Sequence, residues 1–448
     1  MRDMAFIGGE ARGQGTMFPV TLDELIPPDH LCRVIEAFVE RMDLAALAFV
    51  RAEPAQTGRP GYDPRDLLKL YLYGYLQQVR SSRRLEAECR RNVEVMWLLG
   101  RLQPDHKSIA EFRRQNSAAI TETCAALVSW ARSVGLVRGE WVAIDGSKFQ
   151  AVSSARRVAE REAAKRYLER MEATDQQEEV VIDETAVAAA LKKLREDPEP
   201  EARFMHGPHG SSAPAYNVQI AVDSEHAIVV AQAVSSEAND KRSLLPMAEA
   251  AKAAVGEPAE LHVVADAGYS NGAQAEACEQ KGIVPHVAVQ RSLNNQGDGR
   301  ALDHSQFRYD AVGDRFYCPA GQVLERRGVK KERSRILYQA KAQACEACWL
   351  KARCTEARRR TVYRHLHEEA LQRMGQRATA EAMRLRRSCA EHPFASLKYW
   401  IFGRPRFLLR GRRGAQSEMS LAILCYNLKR MLRVLGATTL IEKLAPAR

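Results

Sequence analysis

WVAIDGSKFQAV (141–152), YNVQIAVD (216–223), HAIVVAQAV (226–234) and ELHVVADAGY (260–269) decide the fold of this chain. Each is a short run rich in Val, Ile and Ala with turn-forming residues at its borders, the pattern of a buried strand. Only Ser224-Glu225 separates the second from the third, a tight-turn spacing, and IVPHVAVQ (283–290) supplies a fifth strand. Helical periodicity runs from Asp240 to Val255 and from Asn271 to Lys281. Three strands in a row, then helix and strand in alternation, predict an α+β domain: a mixed sheet with helices flanking it.

That plan is the ribonuclease-H-like one, and the rest of the chain arranges itself around it. Residues 18–137 read as an N-terminal helical domain, with Asp29, Asp63 and Asp105 each standing as a cap before an apolar-periodic run. Its basic residues cluster at Arg80, Arg83, Arg84, Arg90 and Arg91, then at Arg113 and Arg114. A helix-turn-helix-like DNA reader and a bundle with an Arg-rich exterior both fit that pattern. The sheet domain spans 138–436 and carries two insertions, a charged helical one at 156–203 and a Cys-rich one at 291–377.

The 448 residues are 46% hydrophobic and 27% charged, which excludes a disordered chain, and no apolar run is long enough for a bilayer span. With no apolar leader at the start, the expectation is a cytoplasmic protein, nucleoid-associated, with no membrane partner. Its ten cysteines then read as reduced thiols or metal ligands. Between Arg358 and Arg433 lie 18 basic and 5 acidic residues, more than the whole chain's net charge of +11. So concentrated an excess suits nucleic-acid phosphate better than an ordinary solvated surface.

Asp145 ends WVAID and is followed by Gly146; Asp266 repeats that arrangement, with Gly268 two residues on. Either alone reads as a turn former or helix cap, but two at the ends of strands in one sheet point to a shared site. Hard divalent cations take several oxygen ligands, so a third carboxylate is required. Glu391 is the candidate: Arg387, Glu391 and Lys398 fall at i, i+4 and i+11 on one face of a helix that the pattern carries to about Tyr399. The plainer reading is an exposed Glu–Arg pair.

Cys318, Cys345, Cys348 and Cys354 give C-x26-C-x2-C-x5-C, two ligand pairs of the kind that close a structural Zn²⁺ site. His365 or His367 are substitutes for one ligand, and Cys32, Cys89, Cys124, Cys278, Cys389 and Cys425 read as core filler. Trp400, in KYWIFGRPRF, reads as a core ring before a base-stacking one.

IDGSKFQA around Asp145, the run from Tyr216 to Met247, VVADAGYSN around Asp266 and R-x3-E-x6-K from Arg387 to Lys398 together resemble the DDE transposases of bacterial insertion sequences. TLDELIPPDHLCRVI and GRPGYDPRDLLKLYLYGYL are similar to the helical domain of one large group of them, and RGRRGAQSEMSLAILCYNLKRM to their last helix. The resemblance covers roughly residues 18–435. It implies that Asp145, Asp266 and Glu391 hold two Mg²⁺ or Mn²⁺ ions. It implies too that Arg387 and Lys398 contact DNA phosphates, and that the double-stranded inverted-repeat ends of an element are cut and joined to target DNA by a dimer or higher oligomer. Where the group's signature has Tyr, this chain has Arg384, a replacement that an Arg–phosphate contact would explain. The alternative is an inactive or domesticated DDE-fold DNA-binding protein or nuclease.

Overall fold

A computed structural model describes residues 20–54, 61–175, 183–207, 211–289, 302–330 and 334–445. The opening of the Cys-rich insertion at 291–301 and residues 176–182 of the charged one lie outside them. The chain divides into two compact units, residues 1–119 with 431–448, and residues 120–430. The second unit thus begins well before residue 138, inside a helix, and the chain from 431 onward belongs with the first.

The first unit is helical: α1 (Leu31–Arg41), α2 (Pro64–Leu76), α3 (Ser82–Arg91), α4 (Val93–Leu98) and α5 (His106–Gln115). Asp63 caps α2, with Pro64 at the first helical position where its missing N–H costs nothing, and Asp105 accepts from Lys107 and Ser108 to cap α5. His30, not Asp29, caps α1 through Nδ1. The single helix that the pattern gives across 106–134 is broken at Asn116. Its side chain donates to Phe112 O and accepts from Val50 N, competing with the helical ladder. Of the expected surface arginines, Arg90, Arg91 and Arg114 are exposed and paired with Glu86, Glu88 and Glu111. Arg113 is instead buried, its guanidinium 5.2 Å above the Tyr71 ring.

In the second unit α6 (Ser117–Ser133) leads into β1 (Trp141–Gln150), α7 (Ala155–Asp175), α8 (Glu184–Arg195), β2 (Arg203–His206), β3 (Ser212–Asp223) and β4 (Val229–Ser235). α9 (Leu244–Ala254), β5 (Leu261–Ala265), α10 (Gly272–Gln280) and β6 (Ile283–Val287) complete the core. The main sheet has the order β4-β3-β1-β5-β6; β3 is antiparallel to β1 and β4, while β5 and β6 run parallel to β1. This is the ribonuclease-H-like arrangement. β2 joins the edge of β3 beside β4, on the half that β4 leaves open.

The Cys-rich insertion folds as a second, antiparallel sheet: β7 (Arg308–Asp310), β8 (Arg315–Tyr317), β9 (Val323–Lys330), β10 (Arg335–Ala340), the short helices α11 (Ala342–Glu346) and α12 (Lys351–Cys354), then β11 (Thr361–His365). α13 (Glu368–Arg377) and α14 (Ala380–Ala395) return the chain to the main sheet, where Ala382, Cys389 and Ala390 of α14 pack on Ala143 of β1 and Val264 of β5.

α15 (Gly411–Leu435) covers the β4 edge: Asn427 bonds Val229 through both N–H and C=O at 2.9 Å, and Gln416 accepts from Val234 N at 2.9 Å. An otherwise unpaired strand edge is thereby closed by side chains. α16 (Ala437–Leu444) ends the first unit, where Arg41 donates to Leu444 O at 3.3 Å. No described helix is long and apolar enough to cross a membrane.

Candidate active site

Parallel pairing of β1 with β5 sets Ala143 opposite Val264, so Asp145 and Asp266 stand two residues further on, side by side at one end of the sheet. Asp266 has left the strand: its Oδ1 accepts from Gly268 N at 2.7 Å and caps the short turn Ala267–Tyr269. Asp145 Oδ1 accepts from Gly146 N at 2.9 Å. Burial pushes the Asp145 carboxyl up to about 6, and the charges of Asp266 and Asp240 add to that rise. The Gly146 N–H and the Arg386 guanidinium oppose it.

Arg386, not Arg387, is the arginine that faces Asp145. Its Nε is buried and has no hydrogen-bond partner among the described residues. Lys398 is also close, with burial lowering its ammonium below the usual range and the Asp145 charge pulling it back. Glu391, Arg387 and Arg384 are exposed on α14 and make no hydrogen bond or ion pair among the described residues. The helix does not keep its pitch to Tyr399. Pro393 removes one helical N–H, and from Ser396 to Ile401 the backbone widens into a π-helix, with Phe402 N bonded to Leu397 O. Lys398 therefore lies half-buried beside Asp145 while Glu391 faces solvent.

The sequence reading did not single out Asp240, whose charge also acts on Asp145. Asp240 looks like a helix opening, but α9 begins only at Leu244, and Asp240 stays in the turn before it. Its Oδ1 accepts from Asn217 Nδ2 at 2.7 Å and Gln219 Nε2 at 2.6 Å, and Lys148 Nζ is 3.6 Å away. Alternation on β1 puts Gly146 and Lys148 on the sheet face opposite Asp145. A Cβ on Gly146 would stand 2.3 Å from Gln219 Nε2 and 2.8 Å from Asp240 Oδ1, so the glycine makes room for this network. The signal available in the sequence was the pair Asn217 and Gln219, polar residues at alternate positions of an otherwise apolar strand.

Cys318, Cys345, Cys348 and Cys354 line one cavity of the second sheet. Gln322 N donates to Cys318 Sγ at 3.3 Å and Arg360 N to Cys345 Sγ at 3.5 Å. Burial raises the Cys354 thiol, as do the three other cysteines. His365 and His367 lie elsewhere, against α10, where His367 meets Glu276. Among the described residues, the one group of three or more potential ligands whose atoms all lie within 4.8 Å of one another is His30, Cys32 and Glu94. There His30 Nδ1 accepts from Cys32 N, which leaves the proton on Nε2, 3.6 Å from Glu94 Oε1. That is a helix cap with a neutral imidazole beside a carboxylate. The six remaining cysteines are buried, and Trp400 carries the Lys429 ammonium 3.0 Å from its ring centre.

Comparison with curated proteins gives no match. Among solved structures the chain is similar to the piggyBac transposase synaptic complex with hairpin DNA, at 9% identity and a TM-score of 0.34, over 92% of this chain and 78% of that one. That likeness is too remote to decide anything. The family models are decisive: Transposase domain (DUF772) matches residues 20–115, and Transposase DDE domain matches residues 174–428, a span that contains Asp240, Asp266 and Glu391. Asp145 lies upstream of that span and reaches it through the pairing of β1 with β3 and β5. More than half of the chain follows the second model, and the chain belongs to the DDE transposase family.

Proposed function

We propose that this protein binds the inverted-repeat ends of an insertion sequence, cleaves the DNA there and transfers the freed 3′-OH ends to target DNA. The observation that carries this reading is the pair Asp145 and Asp266 on neighbouring parallel strands, with the cations of Arg386 and Lys398 near Asp145. The donor set fits hard divalent cations, which take carboxylate oxygens, and burial with like charge nearby makes a cation beside Asp145 favourable. Asp145, Asp266 and Glu391 would hold them; Glu391 lies on α14, which packs on β1 and β5, and its side chain, exposed in this structure, would have to turn toward the pair. Two Mg²⁺ or Mn²⁺ ions would activate the attacking hydroxyl and neutralise charge at the scissile phosphate.

The chain's own groups prepare the site. Arg386, with its unpaired buried Nε, offers a donor to a phosphate oxygen in a partly water-excluded setting, and Lys398 adds a second charge. Exposed Arg384 and Arg387 extend that surface along α14 toward flanking phosphates. The helical region at 18–137 serves end recognition and residues 138–436 catalysis, acting as a dimer or larger assembly on DNA in the cytoplasm at the nucleoid. The four cysteines hold one structural Zn²⁺, which their shared cavity and the N–H bonds to two sulfurs support.

Asp145→Asn, Asp266→Asn and Glu391→Gln test the catalytic reading directly. Each is expected to abolish nicking of an element-end duplex in Mg²⁺, by at least a thousandfold, while binding to the same duplex in Ca²⁺ changes less than threefold. Cleavage at an unaltered rate by any one of them removes that residue from the set.

A further inference from the structure

The pairing of β5 with β1 ends at Val264, so Asp266 takes its place beside Asp145 without a ladder pair of its own on β1. The bonds inside its turn, Gly268 N to Asp266 Oδ1 at 2.7 Å and Tyr269 N to Asp266 O at 3.1 Å, shape that turn but do not attach it to β1. Tyr269 makes the attachment. It is 0% exposed, and its hydroxyl donates to Gln219 Oε1 on β3. Because β1 lies between β5 and β3, this bond spans β1, and it does so at Gly146, the residue paired with Gln219. A Cβ on Gly146 would stand 3.0 Å from the Tyr269 hydroxyl, so the crossing needs bare backbone there. Asp145 projects from one face of β1 while the bridge grips the other face at the next residue.

Donor and acceptor of this bridge are both fixed. Asp240 Oδ1 accepts from Gln219 Nε2 at 2.6 Å and from Asn217 Nδ2 at 2.7 Å, with Lys148 Nζ 3.6 Å away to offset its charge. An ionised carboxylate only accepts, so the Gln219 nitrogen faces Asp240 and its oxygen faces Tyr269. Burial, then the charges of Asp240, Asp145 and Asp266, push the ionisation of the Tyr269 hydroxyl far up, and it stays a donor. We propose that Tyr269 is a positioning residue of the active centre: its bond across β1 to Gln219 holds the Asp266 turn in place beside Asp145, while Asn217 and Asp240 keep the acceptor turned toward it. This rests on the catalytic reading above and adds to it.

Tyr269→Phe removes the hydroxyl and keeps the buried ring, and the full chain carrying it is tested at a temperature where melting curves show variant and parent folded. Two quantities are read: Mn²⁺ affinity without DNA, from the electron paramagnetic resonance of free Mn²⁺, and the rate of nicking an element-end duplex at saturating protein. Mn²⁺ binding is expected to weaken at least fivefold and nicking to slow at least tenfold, while binding to the same duplex in Ca²⁺ changes less than twofold. Asp266→Asn is the reference variant. If it loses both Mn²⁺ and nicking while Tyr269→Phe keeps the parent's values, the hydroxyl serves packing alone: the proposal falls and the catalytic reading stands. A change in one quantity without the other also overturns the proposal, because a displaced Asp266 must register in both. If Asp266→Asn itself binds Mn²⁺ and nicks as the parent does, or the parent takes up no Mn²⁺, the catalytic reading falls and the proposal with it.

Discussion

At neutral pH the Asp145 carboxylate carries its charge where burial and two other acids oppose it, so the residue weakens the fold that positions it. The sign follows from the raised value. Below about pH 3.8 the group is protonated in both folded and unfolded chains and costs nothing; the penalty builds as pH rises from there to about 6, where the unfolded chain ionises first, and is complete above it. In metal-free buffer at pH 7.5, Asp145→Asn is expected to raise stability by roughly 1–2 kcal/mol after allowance for solvent screening. The gain should vanish near pH 4, as read from thermal melts across that range. A variant that melts lower than the parent at pH 7.5 would contradict the burial argument. Residue types at strand ends made Asp145 and Asp266 legible in the sequence. That Arg386 and Asp240 come near Asp145 was not legible, because it depends on which side of a helix or turn meets the sheet. Arg387, at ideal i, i+4 spacing from Glu391, is exposed, whereas its half-buried neighbour Arg386 is the one beside Asp145.

Among the elements, α14 and the π-helix after it join the fold to the chemistry most directly. Pro393 withholds the N–H that would bond the Cys389 carbonyl, and its ring crowds that turn, so the helix yields just beyond it. The wider turn brings Lys398 to Asp145; a regular helix would send it elsewhere. Pro393→Ala is expected to keep or raise the melting temperature while lowering element-end cleavage at least tenfold, because restored α-helical pitch displaces Lys398. Unchanged cleavage would show that the π-helix persists without the proline or has no bearing on the reaction. Periodicity in the sequence located this helix but assumed one pitch throughout, and so placed Arg387, Glu391 and Lys398 on a common face. The strands were easier to read. Their apolar runs end within a residue or two of the observed β1, β3 and β4 and begin within one of β1 and β5, while β5 stops four residues short of its run because Asp266 turns the chain out of the sheet.

On the scale of the whole molecule, the second sheet depends on a small core in which Cys345 and Cys354 sit among Phe316, Leu324, Tyr338 and Val362. So few large side chains benefit from a metal cross-link. Metal analysis is expected to find about one Zn per chain, lost in Cys345→Ser/Cys348→Ser. Hydrogen exchange should then rise across β9, β10 and β11 while β1 and β5 keep their protection. A zinc-free parent with full protection of the second sheet would rule the site out. The charge excess from Arg358 to Arg433 was legible as a block, but not its route. After the π-helix the chain returns along β1, with Gln150 N bonded to Pro405 O at 2.7 Å and Phe407 N to Gln150 O at 2.9 Å, and this leaves Arg404 and Arg406 exposed at that strand's end.

The order in which the ribosome delivers these pieces has its own consequence. β1 through β6 emerge first, and the sheet can pair with both aspartates in place long before α14 exists, because the whole second sheet is translated in between. Until residue 398 has left the exit tunnel, Asp145 and Asp266 face neither Arg386 nor Lys398, and the Ala143 and Val264 surface that α14 covers stays open. The centre is thus assembled by the last quarter of the polypeptide, and a chain released early carries the acids without the groups that answer them.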